Sequence, residues 1–313
     1  MNNPTRAIPR CPITGLPATR LVQPISRGLI SGLWRGAFGV STDRQLAGVD
    51  HFGLWESPCG LVFFEPMLAG DEAFYRELHR RWDFQRVLAA PGLARPEFKH
   101  VAKIVHPAEK VLDAGCAEGG LARHLPHATY VGLDPNFSTT ASGPDIRNET
   151  IAEHAASHPE AYDVACAFHV IEHVADPLGF ARDLRDCIKP GGRLLITVPG
   201  RHSAITDIPN FVLNAPPNHL SWWDEGALRA LADRLHFVVE ALEILPFWPC
   251  DSIIYWMGRF APRLTGDRYF RAHWTWYCGL AWSWFLGRAC DALFPVPASA
   301  RPSGFLLIAR KPS

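Results

Sequence analysis

The stretch Val111-Leu112-Asp113-Ala114-Gly115-Cys116-Ala117-Glu118-Gly119-Gly120 decides the fold. Lys110–Ala114 is an apolar run of strand length carrying an acid near its end. It breaks directly into small residues, and a helical stretch then reaches His124. No side chain blocks such a turn, so its backbone N–H groups can approach a ligand closely. Nineteen residues beyond Gly115 stands Asp134, at the end of a second strand candidate, Thr129–Leu133, and before Pro135. An acid at that distance can accept hydrogen bonds from both hydroxyls of a ribose.

Outward from this stretch the pattern repeats. Tyr162–Phe168 reads as a strand, followed by a helix from Pro177 to Ile188. Arg193–Val198 reads as the next strand, opened by the turn Lys189-Pro190-Gly191-Gly192. A helix over Asp224–Leu235 and strands at Phe237–Ile244 and Gly304–Ala309 complete the series. Alternating strands and helices predict an α/β fold, a doubly wound and mostly parallel sheet with helices on both faces. Upstream, residues 71–106 look helical, interrupted by Pro91 and Pro96. The expected division is an irregular leader subdomain at 1–70, a cofactor-binding domain at 71–245 plus 303–313, and an aromatic, partly helical insert or cap at 246–302.

Composition narrows the function classes. The chain has 313 residues, 48 % hydrophobic and 20 % charged, enough to bury a sizeable core. Lys plus Arg equals Asp plus Glu at 31 each, so no global charge recruits a polyanion, and no nucleic-acid partner is expected. Eight Cys show no pairing pattern, and Met1–Arg10 lacks the apolar core of a secretory signal. Both features suggest free thiols and a cytoplasmic setting. The most apolar segment, Trp274–Gly287, is shorter than the ~20 residues a spanning helix needs.

The stretch around Gly115 resembles the first motif of the class I S-adenosylmethionine-dependent methyltransferases, a strand, an acid and a G-x-G-x-G turn. The resemblance implies S-adenosyl-L-methionine as cofactor, with Asp113 near its methionine part. Gly115, Cys116, Ala117 and Gly119 would form the cradle, and Asp134 with Pro135 would stand at the ribose. Ala117 replaces the family's middle glycine. Phe168 and the loop His169-Val170-Ile171-Glu172-His173-Val174 look like the end of the fourth strand and its loop. The turn at Lys189 with RLLITVP is similar to the fifth strand. Thr150 and Ile151, after Glu149, are the expected adenine contact beyond the third strand.

Two other readings use the same residues. Gly115, Ala117 and Gly120 can be laid on the fingerprint of an NAD(P)-dependent oxidoreductase, although the acid before the turn and the Lys189 element suit it poorly. A non-catalytic nucleotide-binding protein would keep the cradle without polar groups beside the methyl donor.

Methyl transfer needs a nucleophile about 3 Å from the sulfonium carbon and, for many acceptors, a base. The loop after the fourth strand faces that chemistry. His169, Glu172 and His173 are therefore candidate catalytic residues, since a His titrates near neutral pH. Helix capping by Glu172 and His173 is the alternative. The loop partly resembles that of ubiquinone-pathway O-methyltransferases, which place acids and a His there for a divalent cation. His169 stands where those have an acid, so no metal is expected. His219, in Pro217-Asn218-His219-Leu220-Ser221-Trp222-Trp223, is the second candidate base, and Ser221 could cap the next helix. The expected activity is methyl transfer to a small-molecule acceptor, at oxygen.

Cys11-Pro12-Ile13-Thr14 and Glu56-Ser57-Pro58-Cys59 are similar to a zinc knuckle that precedes some methyltransferase domains, with Thr14 and Glu56 where two thiols would stand. A metal-free relic of that small β-rich unit is expected. The insert carries Trp248, Tyr255, Trp256, Phe260, Trp274, Trp276, Tyr277, Trp282 and Trp284, with Arg259, Arg263 and Arg268. These aromatics suit an apolar acceptor roof, peripheral membrane contact, a homodimer face or core packing, and the sequence leaves the four open.

Overall fold

The computed structural model describes residues 7–81, 96–136, 143–245, 249–262, 268–297, 300 and 303–313. Pro91, Trp248 and Arg263 lie outside the described residues. Where the sequence suggests an irregular leader, the chain forms β1 (Arg20–Ser26), α1 (Arg27–Phe38), β2 (His51–Glu56) and β3 (Val62–Glu65). The Ser26 hydroxyl accepts the Leu29 N–H and starts α1, and Gly39 in the left-handed region ends it. The three strands are antiparallel, and Trp34, Phe52, Leu54 and Phe64 are fully buried between sheet and helix. Short strands broken by Gly and Pro read as loops in sequence, because their stability comes from cross-strand partners. After α2 (Glu72–Arg81), Pro96 opens α3 (Pro96–Ile104) instead of interrupting a helix. The first helical turn needs no N–H donor from that position.

The larger sheet follows. It contains β4 (Lys110–Ala114), β5 (Thr129–Leu133), β6 (Ile146–Arg147), then α4 (Ile151–Ser157), β7 (Tyr162–Phe168), α5 (Pro177–Cys187) and β8 (Ile188–Pro199). Beyond a short α6 (Ala204–Asp207) come β9 (Ser221–Trp222), α7 (Glu225–Arg234), β10 (Val238–Leu245), α8 (Pro249–Phe260), α9 (Trp274–Leu293) and β11 (Gly304–Arg310). The strand order is β10-β11-β8-β7-β4-β5-β6. Strands β4 to β8 pair in parallel, and β11 is antiparallel to both its neighbours. This is the expected doubly wound, mostly parallel sheet. The order reverses at β4, whose neighbours are β5 and β7, so a ligand crevice is expected at its carboxyl end.

Three local expectations change. The segment after the Gly turn is a short 3-10 turn, Gly120–His124. Strand β8 starts at Ile188, so Lys189–Gly192 lies within the strand. Asp224, not Ser221, caps α7 by accepting the Ala227 N–H. Ser221 instead sits in β9 and accepts the Trp223 indole N–H.

Strand β9 pairs with β3, completing a second sheet of order β1-β2-β3-β9. Phe270 of the insert joins that sheet's core and exchanges two hydrogen bonds with the Gln23 amide. Leader and insert are thus knitted to the central domain. In the leader the Cys11 and Cys59 sulfurs face each other at 3.8 Å. Glu56 turns away from them to Arg20 and Arg201.

The register places Gly304 against Pro199, and a Cβ on Gly304 would lie 2.2 Å from the Val198 carbonyl oxygen. Gly304→Ala is expected to force β11 from β8 and cost about 1–3 kcal/mol. A thermal melt checks this, and an unchanged Tm would contradict the register.

Candidate cofactor cradle and catalytic loop

The turn after β4 is left-handed at three places, Gly115 (φ 76°), Ala117 (φ 48°) and Gly119 (φ 69°). A Cβ on Gly115 would meet Val170 Cγ2 at 2.5 Å, and one on Gly119 would meet Pro144 Cγ at 2.8 Å. Glycine is therefore required at both positions, on space and on φ. Ala117 carries a strain of about 1–2 kcal/mol that the family's glycine avoids. The Gly115 and Cys116 N–H groups donate to the Leu133 carbonyl at 2.7 and 3.1 Å, and the Ala117 N–H donates to Asp134 Oδ2 at 3.0 Å. Asp134 Oδ1 accepts the Asn136 N–H at 2.9 Å. Each carboxylate oxygen keeps a further lone pair for a ribose hydroxyl. Pro135 is exposed beside it.

Asp113 is buried and accepts the Tyr130 hydroxyl at 2.8 Å. Burial first, then the charge of Asp113, pushes the Tyr130 hydroxyl and the Cys116 thiol far up, so both stay protonated. Cys116 donates to the Ala117 carbonyl at 3.6 Å. Phe168 is buried and packs edge-on against Phe98 of α3. The Thr150 hydroxyl caps α4 in a reciprocal box with Glu153, and Ile151 is buried in the core. β6 ends at Arg147, three residues earlier, because the cap fixes where α4 begins.

The loop after β7 lies against the cradle, since Val170 is the residue that a Gly115 side chain would strike. His169 adopts φ 56°, and its N–H reaches both oxygens of Thr197 on β8. Such strain in a non-glycine residue clusters at functional sites. His169 Nδ1 lies 3.5 Å from Glu172 Oε1, and Nε2 lies 3.6 Å from Glu97 Oε1. His173 Nε2 lies 4.0 Å from Glu172 Oε1, while Nδ1 donates to the Asn218 carbonyl at 2.9 Å. The His173 and His219 rings meet edge-to-face at 4.7 Å. Asp176 caps α5, so Glu172 and His173 do not serve as its cap.

Glu172 is 1 % exposed. Burial alone would raise its carboxyl, but contact with His169 and the charges of His173 and His169 outweigh it and hold the group at about 2. Burial and the charge of His173 push His219 down to about 3. His219 is therefore neutral, and its Nδ1 donates to the Asn214 side-chain oxygen at 2.9 Å, which leaves the Nε2 lone pair available. Glu172, His173 and His219 each bring one ligand atom within 4.8 Å of the others, a set able to hold a metal ion.

The structure thus gathers His169, Glu172, His173 and His219 at one place, and Asp113, Gly115 and Asp134 beside it. Sequence reading missed Glu97, Tyr75, Asn214 and Asn218. Glu97 looks like an ordinary first-turn acid of a helix, yet it is fully buried. Tyr75, from α2, lies 3.3 Å from His173 Nδ1. No local signal marks either, because only tertiary packing brings α2 and α3 to the loop.

Residues 58–242 match the family model described as a methyltransferase domain. The chain belongs to this family, the S-adenosylmethionine-dependent methyltransferases, and the cradle after β4 fits that cofactor. Ubiquinone biosynthesis O-methyltransferases of Salmonella newport and Salmonella typhimurium are 30 % identical over 152 residues, 39 % of this chain and 62 % of theirs. The chain thus covers less than two thirds of those relatives. A SAM-dependent methyltransferase structure from Archaeoglobus fulgidus shares the fold, with TM-score 0.50 and 16 % identity over 76 % of this chain and 100 % of that one. The family match sets aside the oxidoreductase.

The low values of His219 and Glu172 fix a sign. Protons favour the unfolded chain as pH falls through 6.5 toward about 3 for His219, and through 4.5 toward about 2 for Glu172. Acidification from about pH 7 to about pH 5 is expected to lose up to about 2 kcal/mol through His219. Melts across this range should show a steep fall in Tm that His219→Gln flattens. An equal slope in the variant would contradict the assignment.

Proposed function

We propose that the chain transfers a methyl group from S-adenosylmethionine to a small-molecule acceptor, at oxygen. The observation that carries this reading is the contact of Val170 with the cradle turn, flanked by His169 and by the Glu172-His173 pair. Imidazoles and an ionised carboxylate then border the space where the methyl donor binds. The name of the O-methyltransferase relatives supports oxygen over nitrogen.

The cofactor supplies an electrophilic methyl carbon on a sulfonium. An acceptor oxygen attacking that carbon would have to lose its proton. His173 takes that proton at Nε2, while its Nδ1–H is fixed on the Asn218 carbonyl. Glu172 stabilises the imidazolium so formed. His219 is held neutral and accepts a hydrogen bond from the acceptor hydroxyl, which orients it. His169 positions Glu172.

A second reading rests on the convergent ligand atoms of Glu172, His173 and His219. A divalent cation held there would polarise the acceptor oxygen. Metal analysis of the purified protein, and activity with and without chelator, separates this from the metal-free reading.

Acceptor screening by release of S-adenosylhomocysteine tests the proposal. His173→Ala is expected to lower kcat by about 10²- to 10⁴-fold with S-adenosylhomocysteine affinity unchanged. Full turnover in a His173→Ala/His219→Ala double variant would remove both as catalytic groups.

A further inference from the structure

Helices α8 and α9 form an antiparallel pair between β10 and β11. Gly279 approaches Pro262, and Gly287 lies against Met257, so two glycines let the helices close. Residue 245 pairs with 304, and 304 pairs with 199, the end of β8. The helix pair therefore leaves the sheet at its carboxyl edge, the edge that bears the cradle and the His169–His173 loop.

Helix α9 buries only a stripe. Trp276, Ser283 and Gly287 are its buried residues, and Gly279, Leu280, Leu286 and Cys290 are half-buried along the same side. At about 100° per residue, the remaining exposed arc spans about half the circumference. That arc carries Trp274, Tyr277, Trp282, Trp284, Phe285 and Leu293, exposed by 47 to 72 %. Its single charged residue is Arg288, because Asp291 falls on the inward side. The helix has 20 residues, about 30 Å of length. No described helix is long and apolar enough to cross a membrane.

We propose that the outer face of α9 lies on an anionic lipid surface. Large aromatics spread over half a convex helix suit a medium that wets the whole arc, whereas a folded partner covers a flatter patch. Trp and Tyr are the side chains favoured at the water–hydrocarbon boundary. The charges match as well. Arg259, Arg268 and Arg288 are exposed in this segment, and no Asp or Glu is exposed among its described side chains. The Arg288 guanidinium, on the same arc as the aromatics, pairs with headgroup phosphates while the rings enter the acyl boundary. Binding requires no turnover, so it stands or falls apart from the methyl-transfer reading.

The full chain is centrifuged with vesicles of phosphatidylcholine alone and of phosphatidylcholine mixed with phosphatidylglycerol. The protein is expected to sediment with the mixed vesicles, with a blue shift of tryptophan emission. Trp282→Glu/Phe285→Glu should weaken this binding at least about tenfold with S-adenosylhomocysteine affinity retained. Arg288→Glu should weaken binding to mixed vesicles and reduce its salt dependence. Absence of binding to either vesicle, or equal binding by the Trp282/Phe285 variant, would overturn the proposal. A wild-type dimer in light scattering that the same variant turns into a monomer, without vesicle binding, would assign the face to a second copy and overturn it equally.

Discussion

One hydrogen bond organises the central site, the donation from the Ala117 N–H to Asp134 Oδ2 at 3.0 Å. It ties the end of β4 to the end of β5 across the point where the strand order reverses. The turn can reach Asp134 only by passing through left-handed φ at Gly115, Ala117 and Gly119. That path exposes backbone N–H groups and brings Gly115 under Val170. Any side chain at Gly115 would push the loop bearing His169, Glu172 and His173 off the cradle. The cradle and the His169–His173 loop are therefore one packed unit, and the spacing from Gly115 to Asp134 is set by the length of the connection between two adjacent parallel strands.

The His169–His173 loop is in turn an electrostatic unit. A fully buried carboxylate, Glu172, stays ionised because His169 and His173 flank it, and the same crowding keeps His219 neutral. Removing one partner of such a set leaves an uncompensated charge or an unpaired buried polar atom. The second sheet contributes to this unit from outside the central fold. Leu220, just before β9, donates its N–H to the Glu172 carbonyl at 2.7 Å, and Trp34 of α1 donates to the Pro216 carbonyl at 2.8 Å. The leader thus fixes the segment that presents Asn218 and His219.

Much of the central sheet was legible because β4, β5 and β7 are short apolar runs with their own turn chemistry, whereas the two-residue β6, Ile146–Arg147, carries no such pattern. Lys110–Ala114, Thr129–Leu133 and Tyr162–Phe168 coincide with β4, β5 and β7, and the spacing to Asp134 needs no long-range information. The leader was not legible, since β1 to β3 owe their pairing to each other and to β9, about 160 residues further on. The four candidate catalytic residues came from loop position, and the structure brings them together. Glu97, Asn214 and Asn218 escaped because a buried acid on an amphipathic helix and a polar residue in a Pro-rich loop look like surface. Thr150, the expected neighbour of adenine, caps α4 through its hydroxyl, three residues before Glu153.

Isothermal titration of the full chain with S-adenosylhomocysteine and with NADH tests the cofactor assignment most directly. Micromolar binding of S-adenosylhomocysteine, abolished in Asp134→Ala, with no heat from NADH, is expected. Binding of NADH with none of S-adenosylhomocysteine would contradict the assignment.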